Sequence, residues 1–307
     1  MEEKIYIFGH KNPDTDSICS ALVKERFNRK LGYEKCVARR LGNVNKETQY
    51  VLDYLGVKAP ELLEKVEEGQ KVILVDHNEF TQSVEGIEKA EILSVVDHHR
   101  IANFQTSSPL YYTAKPYGCT ATILYEEFKQ FGHEIDKKEA VLMISAIISD
   151  TLLLKSPTTT KKDEQALKEL SEIAKIDVNT YGIEMLKAGT DLSEFSEEEL
   201  LNLDAKKFEK DNIKYKIAQV NTVSIDDVLK NQVKLEEEIN KKIKEEGLDL
   251  FVFVITDILN NNSEILVLGN RSDIISKQVE LKNNRAFLEG VVSRKKQIVP
   301  FVEKGIQ

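Results

Sequence analysis

The chain has 307 residues, a formal net charge of −9, and 41% hydrophobic and 31% charged residues. That length accommodates two ordinary domains, each with its own core, and the composition is that of a globular chain rather than a disordered one. The acidic balance weighs against loose electrostatic binding to nucleic acid or to an anionic membrane surface.

The first residues, MEEKIYIFG, are acidic and short in apolar length, so they do not read as a signal peptide. No stretch reaches the ~20 apolar residues of a membrane span. A cytoplasmic chain is expected, and the three dispersed cysteines, Cys19, Cys36 and Cys119, are expected to be free thiols. Residues 4–8 (KIYIF), 71–75 (KVILV) and 92–96 (ILSVV) are short apolar runs that predict buried strands of a parallel sheet. Behind the first strand, Ile18, Ala21 and Leu22 follow helical spacing after a cap region at Thr15–Ser17. Residues 119–131 and 137–149 predict two more helices, the second nearly all apolar and therefore buried. This alternation predicts an α/β sheet with helices on both faces.

The stretch KAGTDLSEFS breaks the pattern. We read residues 1–187 as the first domain, 188–196 as a linker or hinge, and 197–307 as a second, smaller α/β domain. The latter carries expected strands at 214–220, 250–255 and 264–268 and a long charged helix at 225–246, whose Glu/Lys run predicts a solvated face.

The three strands of the first domain end alike. The first runs into His10, Asp14 and Asp16, the second into Asp76-His77, and the third into Asp97-His98-His99; the apolar helix ends at Asp150. Open parallel sheets bind ligands beyond the carboxyl ends of their strands, so these side chains should converge. A lone Asp or His at a strand end is ordinarily a cap or turn residue. Several buried carboxylates together would repel one another and take up protons, a penalty that divalent cations remove. Mixed His and carboxylate donors without Cys suit Mn²⁺, Co²⁺, Fe²⁺ or Zn²⁺ in a catalytic rather than a structural site. Two ions sharing a carboxylate and a water would generate a hydroxide able to attack phosphorus. In the second domain, SRKKQ (293–297) and the lysines of LDAKKF (203–208) are basic sets in an acidic protein, suited to gripping phosphate oxygens.

The stretches GHKNPDTDSICSA, VILVDHNE, VVDHHRIANF, YGCTATI, SAIISDTLLLKSPT, MLKAGTDLS, LDAKKF and GVVSRKKQIVP together resemble the family II inorganic pyrophosphatases of the DHH phosphoesterase superfamily. The resemblance implies an N-terminal parallel-sheet DHH domain and a smaller DHHA2-type α/β domain, with the active site in the cleft between them. It implies one metal on His10, Asp14 and Asp76, and a second on Asp16, Asp76, His98 and Asp150, with Asp76 bridging. His99 would contact substrate and supply a proton, while Lys206, Arg294 and Lys295 would bind phosphate oxygens. Asp97 would orient a ligand histidine. The expected ions are two Mn²⁺ or Co²⁺ per subunit with further Mg²⁺ on the pyrophosphate substrate, and the expected assembly is a homodimer through the N-terminal domain. Neither nucleic acid nor a membrane is expected as partner. The competing readings are an exopolyphosphatase, a short-oligonucleotide phosphodiesterase, or a metal or phosphate sensor that kept the fold. The GGG or GGH motif typical of the nucleases is missing from the sequence.

Overall fold

The strand-helix alternation of the first part of the chain closes into a six-stranded sheet in which every pairing is parallel. The computed structural model describes residues 4–306, which fall into two units that divide between Gly189 and Thr190. The first unit contains strands β1 (Ile5–Phe8), β2 (Cys36–Arg40), β3 (Glu61–Leu62), β4 (Lys71–Val75), β5 (Glu91–Asp97) and β6 (Tyr111–Ala114), in the order β3-β2-β1-β4-β5-β6. Its helices are α1 (Thr15–Lys30), α2 (Lys46–Leu55), α3 (Thr120–Phe131), α4 (Lys137–Thr151), α5 (Lys161–Ala174) and α6 (Val178–Gly189). The chain moves outward from β1 to β3, then restarts at β4 and moves the other way. The switch point therefore lies between β1 and β4, where a parallel sheet opens a crevice for ligands.

One sheet face, lined by Ile7, Cys36, Ala38, Ile73 and Val75, packs on Ala21 of α1. The opposite face, with Phe8, Val72, Leu74, Ile92 and Val95, packs on Val66, Val84 and Ile87 and on Phe80 and Phe104. That face is covered by short 3₁₀ turns and loops, not by the α-helices expected there. The cause is connection length and hand. Right-handed crossovers from β4 to β5 and from β5 to β6 must pass over this face, and residues 76–90 and 98–110 do so without forming an α-helix. The α-helices gather on the other side, where α1 packs against α3 and α4 as well as the sheet. This explains why α1 is buried on most of its surface. Residues Ala140–Ile148 of α4 are wholly enclosed, as their apolar run predicts. The three cysteines are buried and unpaired.

The second unit contains α7 (Glu197–Leu200), β7 (Ala205–Lys210), β8 (Ile213–Thr222), α8 (Ile225–Leu229), α9 (Gln232–Glu246), β9 (Leu250–Asp257), β10 (Asn262–Leu268), α10 (Asp273–Ser276), β11 (Arg285–Leu288) and α11 (Val299–Ile306). Its sheet, β11-β10-β9-β8-β7, is mixed, with only β8 and β9 parallel. One face packs on Leu200, Leu235 and Ile239, the other on Ile274, Ile275, Ile298 and Val302. Burial on both faces accounts for the continuous apolar run of β9. The single helix expected at 225–246 is two, interrupted at Lys230 and Asn231, the latter a poor residue for a helix interior. The stretch expected as linker at 188–196 begins inside α6, which continues to Gly189. Among the described residues, no helix is long and apolar enough to cross a membrane.

Candidate metal centre

Gly9 lets β1 pass into the site. A Cβ there would lie 2.5 Å from Cβ of Ser17, so only glycine permits the approach of strand and helix. Asp14 caps α1 by accepting from the Ser17 backbone N–H at 3.0 Å, while its Oδ2 stands 3.4 Å from Nε2 of His10. The structural role and the site role thus fall to different oxygens of one carboxylate.

Asp76 follows β4 in the left-handed region at φ 59° and is almost fully buried. A non-glycine residue held there is strained, and such strain concentrates at functional sites. Its Oδ2 accepts from Ser17 Oγ at 2.8 Å and lies 3.4 Å from His10 Nε2. Its Oδ1 accepts from Thr120 Oγ1 at 3.2 Å and lies 3.4 Å from His98 Nε2. One carboxylate therefore offers a different oxygen to each of two imidazoles. Asp16, wholly buried, accepts from Ser20 Oγ and from the Thr120 N–H at 2.7 Å. Asp150, in the last turn of α4, has its Oδ2 3.7 Å from His98 Nε2, and this buried oxygen has no hydrogen-bond donor. After Asp150 the chain turns through Leu152, Leu153 and Leu154, all left-handed, at φ 48°, 53° and 64°.

The tautomers follow from the other ring nitrogens. Nδ1 of His10 is 2.7 Å from the Lys11 carbonyl, and Nδ1 of His98 is 3.0 Å from the Tyr117 carbonyl. Carbonyls only accept, so each Nδ1 donates, and the neutral ring turns a bare Nε2 lone pair towards carboxylates. Protons or a cation must intervene. Burial by itself lowers the pKa of both histidines, but hydrogen bonding to Asp14 and the charge of Asp76 push His10 up to about 9, and Asp76 and Asp16 do the same for His98. Burial, then repulsion from Asp16, raises Asp76 to about 7, and the same two causes raise Asp150 well above the usual carboxylate range. Three overlapping donor sets form, each with its atoms within 4.8 Å of one another: His10/Asp14/Asp76, Asp16/Asp76/His98/Asp150 and Asp76/His98/His99. Ligands ~2.1 Å from a shared ion stand ~3.0–3.4 Å apart. The closest histidine–carboxylate gaps, at 3.4 Å, are near that spacing.

Asp97 holds a histidine, but a different one from the ligand expected. Its Oδ1 accepts from both the backbone N–H and Nδ1 of His99, at 3.0 and 2.9 Å. This bond raises the pKa of His99, whose side chain is half exposed. The orienting partner of His98 is the Tyr117 carbonyl. Asn78 donates to the other oxygen of Asp97. His77 leaves the cluster altogether. It is buried against Phe8, bonded to the Val75 carbonyl and Ser83 Oγ, and burial lowers its pKa to about 4.

In the second unit, SRKKQ forms a single turn (294–298) ahead of α11. Ser293 Oγ accepts from the Lys296 N–H, and the Gln297 side chain accepts from the N–H groups of Val292 and Ser293. Ser and Gln thus shape the turn that carries the cations. Arg294 bonds the carboxylate of Asp204 at 2.7 Å and also its carbonyl. Asp204 immediately precedes β7, so the pair draws Arg294 to the strand that bears Lys206. Lys206 and Lys295 are exposed, and neither forms an ion pair among the described residues.

Residues 4–147 match the DHH family, N-terminal domain, and residues 183–304 match the DHHA2 domain. A protein of Exiguobacterium sp. described as a "Probable manganese-dependent inorganic pyrophosphatase" is 56% identical over 97% of each chain. One of the same description from Brevibacillus brevis is 55% identical over 100% of this chain and 99% of its own. A solved structure from Methanococcus jannaschii, described as a "putative family II inorganic pyrophosphatase", is 41% identical, with a TM-score of 0.63 over 98% of this chain and 99% of that one. The chain belongs to the family II inorganic pyrophosphatases of the DHH superfamily.

In this member of the family, the first unit brings His10, Asp14, Asp16, Asp76, His98, His99 and Asp150 together. Sequence reasoning missed the hydroxyls and the amide that hold their carboxylates: Ser17, Ser20 and Thr120. It also missed Asp163, a buried carboxylate that accepts from the N–H of Gly118 and from Thr122 Oγ1 and so fixes the loop between Tyr117 and Thr120. For Ser17 and Thr120 the signal was the small-polar spelling of DTDS and GCT.

Proposed function

We propose that the chain hydrolyses inorganic pyrophosphate to two phosphates at a pair of Mn²⁺ ions, with Co²⁺ able to replace them and Mg²⁺ arriving with the substrate. The observation that carries this is Asp76, which offers one oxygen to each of two His/Asp donor sets in a chain more than half identical, along its length, to proteins described as manganese-dependent inorganic pyrophosphatases. His10, Asp14 and Asp76 would hold one ion; Asp16, Asp76, His98 and Asp150 would hold the other. The donor chemistry fits: the Nε2 atoms of His10 and His98 and the buried Oδ2 of Asp150 face inward, where cations would take the place of protons. When bound, two such ions bring the pKa of a water towards neutrality and polarise phosphoryl oxygens.

The remaining work belongs to side chains. Asp97 orients His99 so that its Nε2 is the nitrogen left to meet substrate and pass a proton to the departing phosphate. Arg294, aligned by Asp204, and Lys206 and Lys295 neutralise charge that grows on phosphate oxygens. Lys206 is our choice over Lys207 because Lys207 is already paired with Glu246 at 3.0 Å. We further propose a cytoplasmic homodimer, paired through the first unit, that binds no nucleic acid and no membrane.

The test is phosphate release by protein stripped of metal and reloaded with Mn²⁺, in the presence of Mg²⁺. Pyrophosphate, tripolyphosphate and a dinucleotide are compared. Release from pyrophosphate alone, restored by Mn²⁺ or Co²⁺, is the expected result. Preferential cleavage of the other two, or no release from any, overturns the proposal.

A further inference from the structure

Glu47 lies in the first turn of α2 but directs its carboxylate inward. A single oxygen, Oε1, accepts from Thr15 Oγ1 at 2.6 Å and from Ser149 Oγ at 2.5 Å. Thr15 stands between Asp14 and Asp16, and Ser149 directly precedes Asp150. Thr15 is further held by Thr48 Oγ1 at 3.0 Å. On its other side, Glu47 lies close against Gly189, the last residue of the first unit. A Cβ at Gly189 would lie 2.8 Å from Cβ and 3.0 Å from Oε2 of Glu47.

We infer that Glu47 is a positioning residue that sets the separation between the Asp14–Asp16 turn and the end of α4 carrying Asp150, and so the geometry of the second donor set. The inference rests on the two-ion reading above. Asp150 most needs such a brace. Its Oδ2 has no donor of its own, and the strained left-handed turn of three leucines follows it. The clasp ties Ser149, the residue before Asp150, to Thr15 between Asp14 and Asp16. The end of α6 bears on the same clasp through Gly189, so a shift of that helix end would reach the metal centre by way of Glu47.

The test is calorimetric titration of Mn²⁺ into the metal-free full-length chain, with thermal unfolding of each variant as a check on folding. Glu47→Ala should weaken Mn²⁺ binding about tenfold or more, the usual loss on removing a partner that orients ligands. Glu47→Gln keeps an oxygen at the same place, able to accept from both hydroxyls, and should stay within about twofold of wild type. Glu47→Asp, one methylene shorter, should behave like the alanine variant. Should Glu47→Ala fail to fold, Ser149→Ala, which removes half of the clasp, carries the test and should also weaken binding. Wild-type affinity in Glu47→Ala or Ser149→Ala would overturn the inference, as would a glutamine variant as weak as the alanine one. Failure of the wild type itself to bind Mn²⁺ would instead overturn the two-ion reading.

Discussion

Replacing each lysine of the LDAKKF strand by alanine tests which of the two binds phosphate. On β7, Lys206 lies opposite Ile217 and Lys207 opposite Lys216. Ile217 shares its core with Ile298 and Val302, so Lys206 is on the sheet face covered by the segment that carries SRKKQ. Lys207 is on the other face, where Glu246 bonds it at 3.0 Å and Lys216 at 3.1 Å. An ammonium bonded to a phosphate oxygen is worth ~1.5–3 kcal/mol. At ~1.4 kcal/mol per decade, Lys206→Ala should lower kcat/KM for pyrophosphate by ~10–150-fold. Lys207→Ala removes an exposed pair worth ~0–1 kcal/mol and leaves Glu246 its bond to Lys216, so kcat/KM should change less than about threefold. Initial rates of phosphate release by Mn²⁺-loaded enzyme, measured from below to above KM, provide the comparison. A Lys207→Ala defect as large as that of Lys206→Ala, or a Lys206→Ala defect under about threefold, would refute the face argument.

Asp76→Ala should lose more activity than Lys206→Ala, because it withdraws one oxygen from each donor set; metal analysis after desalting should find the occupancy of both sites reduced. Asp163→Ala should destabilise the first unit by ~3–5 kcal/mol, since it strands the Gly118 N–H and the Thr122 hydroxyl in the interior and removes the partner of the half-buried Thr160 cap. Hydrogen exchange of α3 and α4 amides reads that change without interference from the second unit. Gly9→Ala should destabilise by ~1–3 kcal/mol through overpacking and also weaken Mn²⁺ binding, because the new Cβ displaces Ser17, whose hydroxyl holds Asp76. A stable Gly9→Ala protein with unchanged Mn²⁺ affinity would show that this contact relaxes without consequence.

The largely apolar runs of β1, β4 and β5 determined a buried parallel sheet, because both of its faces must be covered. That sheet in turn determined where His10, Asp14, Asp16, Asp76 and His98 meet, since every parallel strand delivers its following loop to the same edge. Residue type at a strand end was thus enough to foresee the cluster. Tertiary structure decided which neighbour each side chain serves. His77 and His98 both follow a strand-end aspartate, yet Ser83 draws one into the core and Tyr117 turns the other towards the carboxylates. Asp97 serves His99 because its carboxylate reaches forward two residues along its own chain. Arg294 meets Asp204 across a long stretch of intervening chain. The covering of one sheet face by loops rather than helices depended on crossover hand acting on short connections. Periodicity reports which residues are buried and in what kind of element. The direction of a polar side chain is fixed by a donor or acceptor that can lie anywhere in the sequence, and only the folded chain brings that partner within reach.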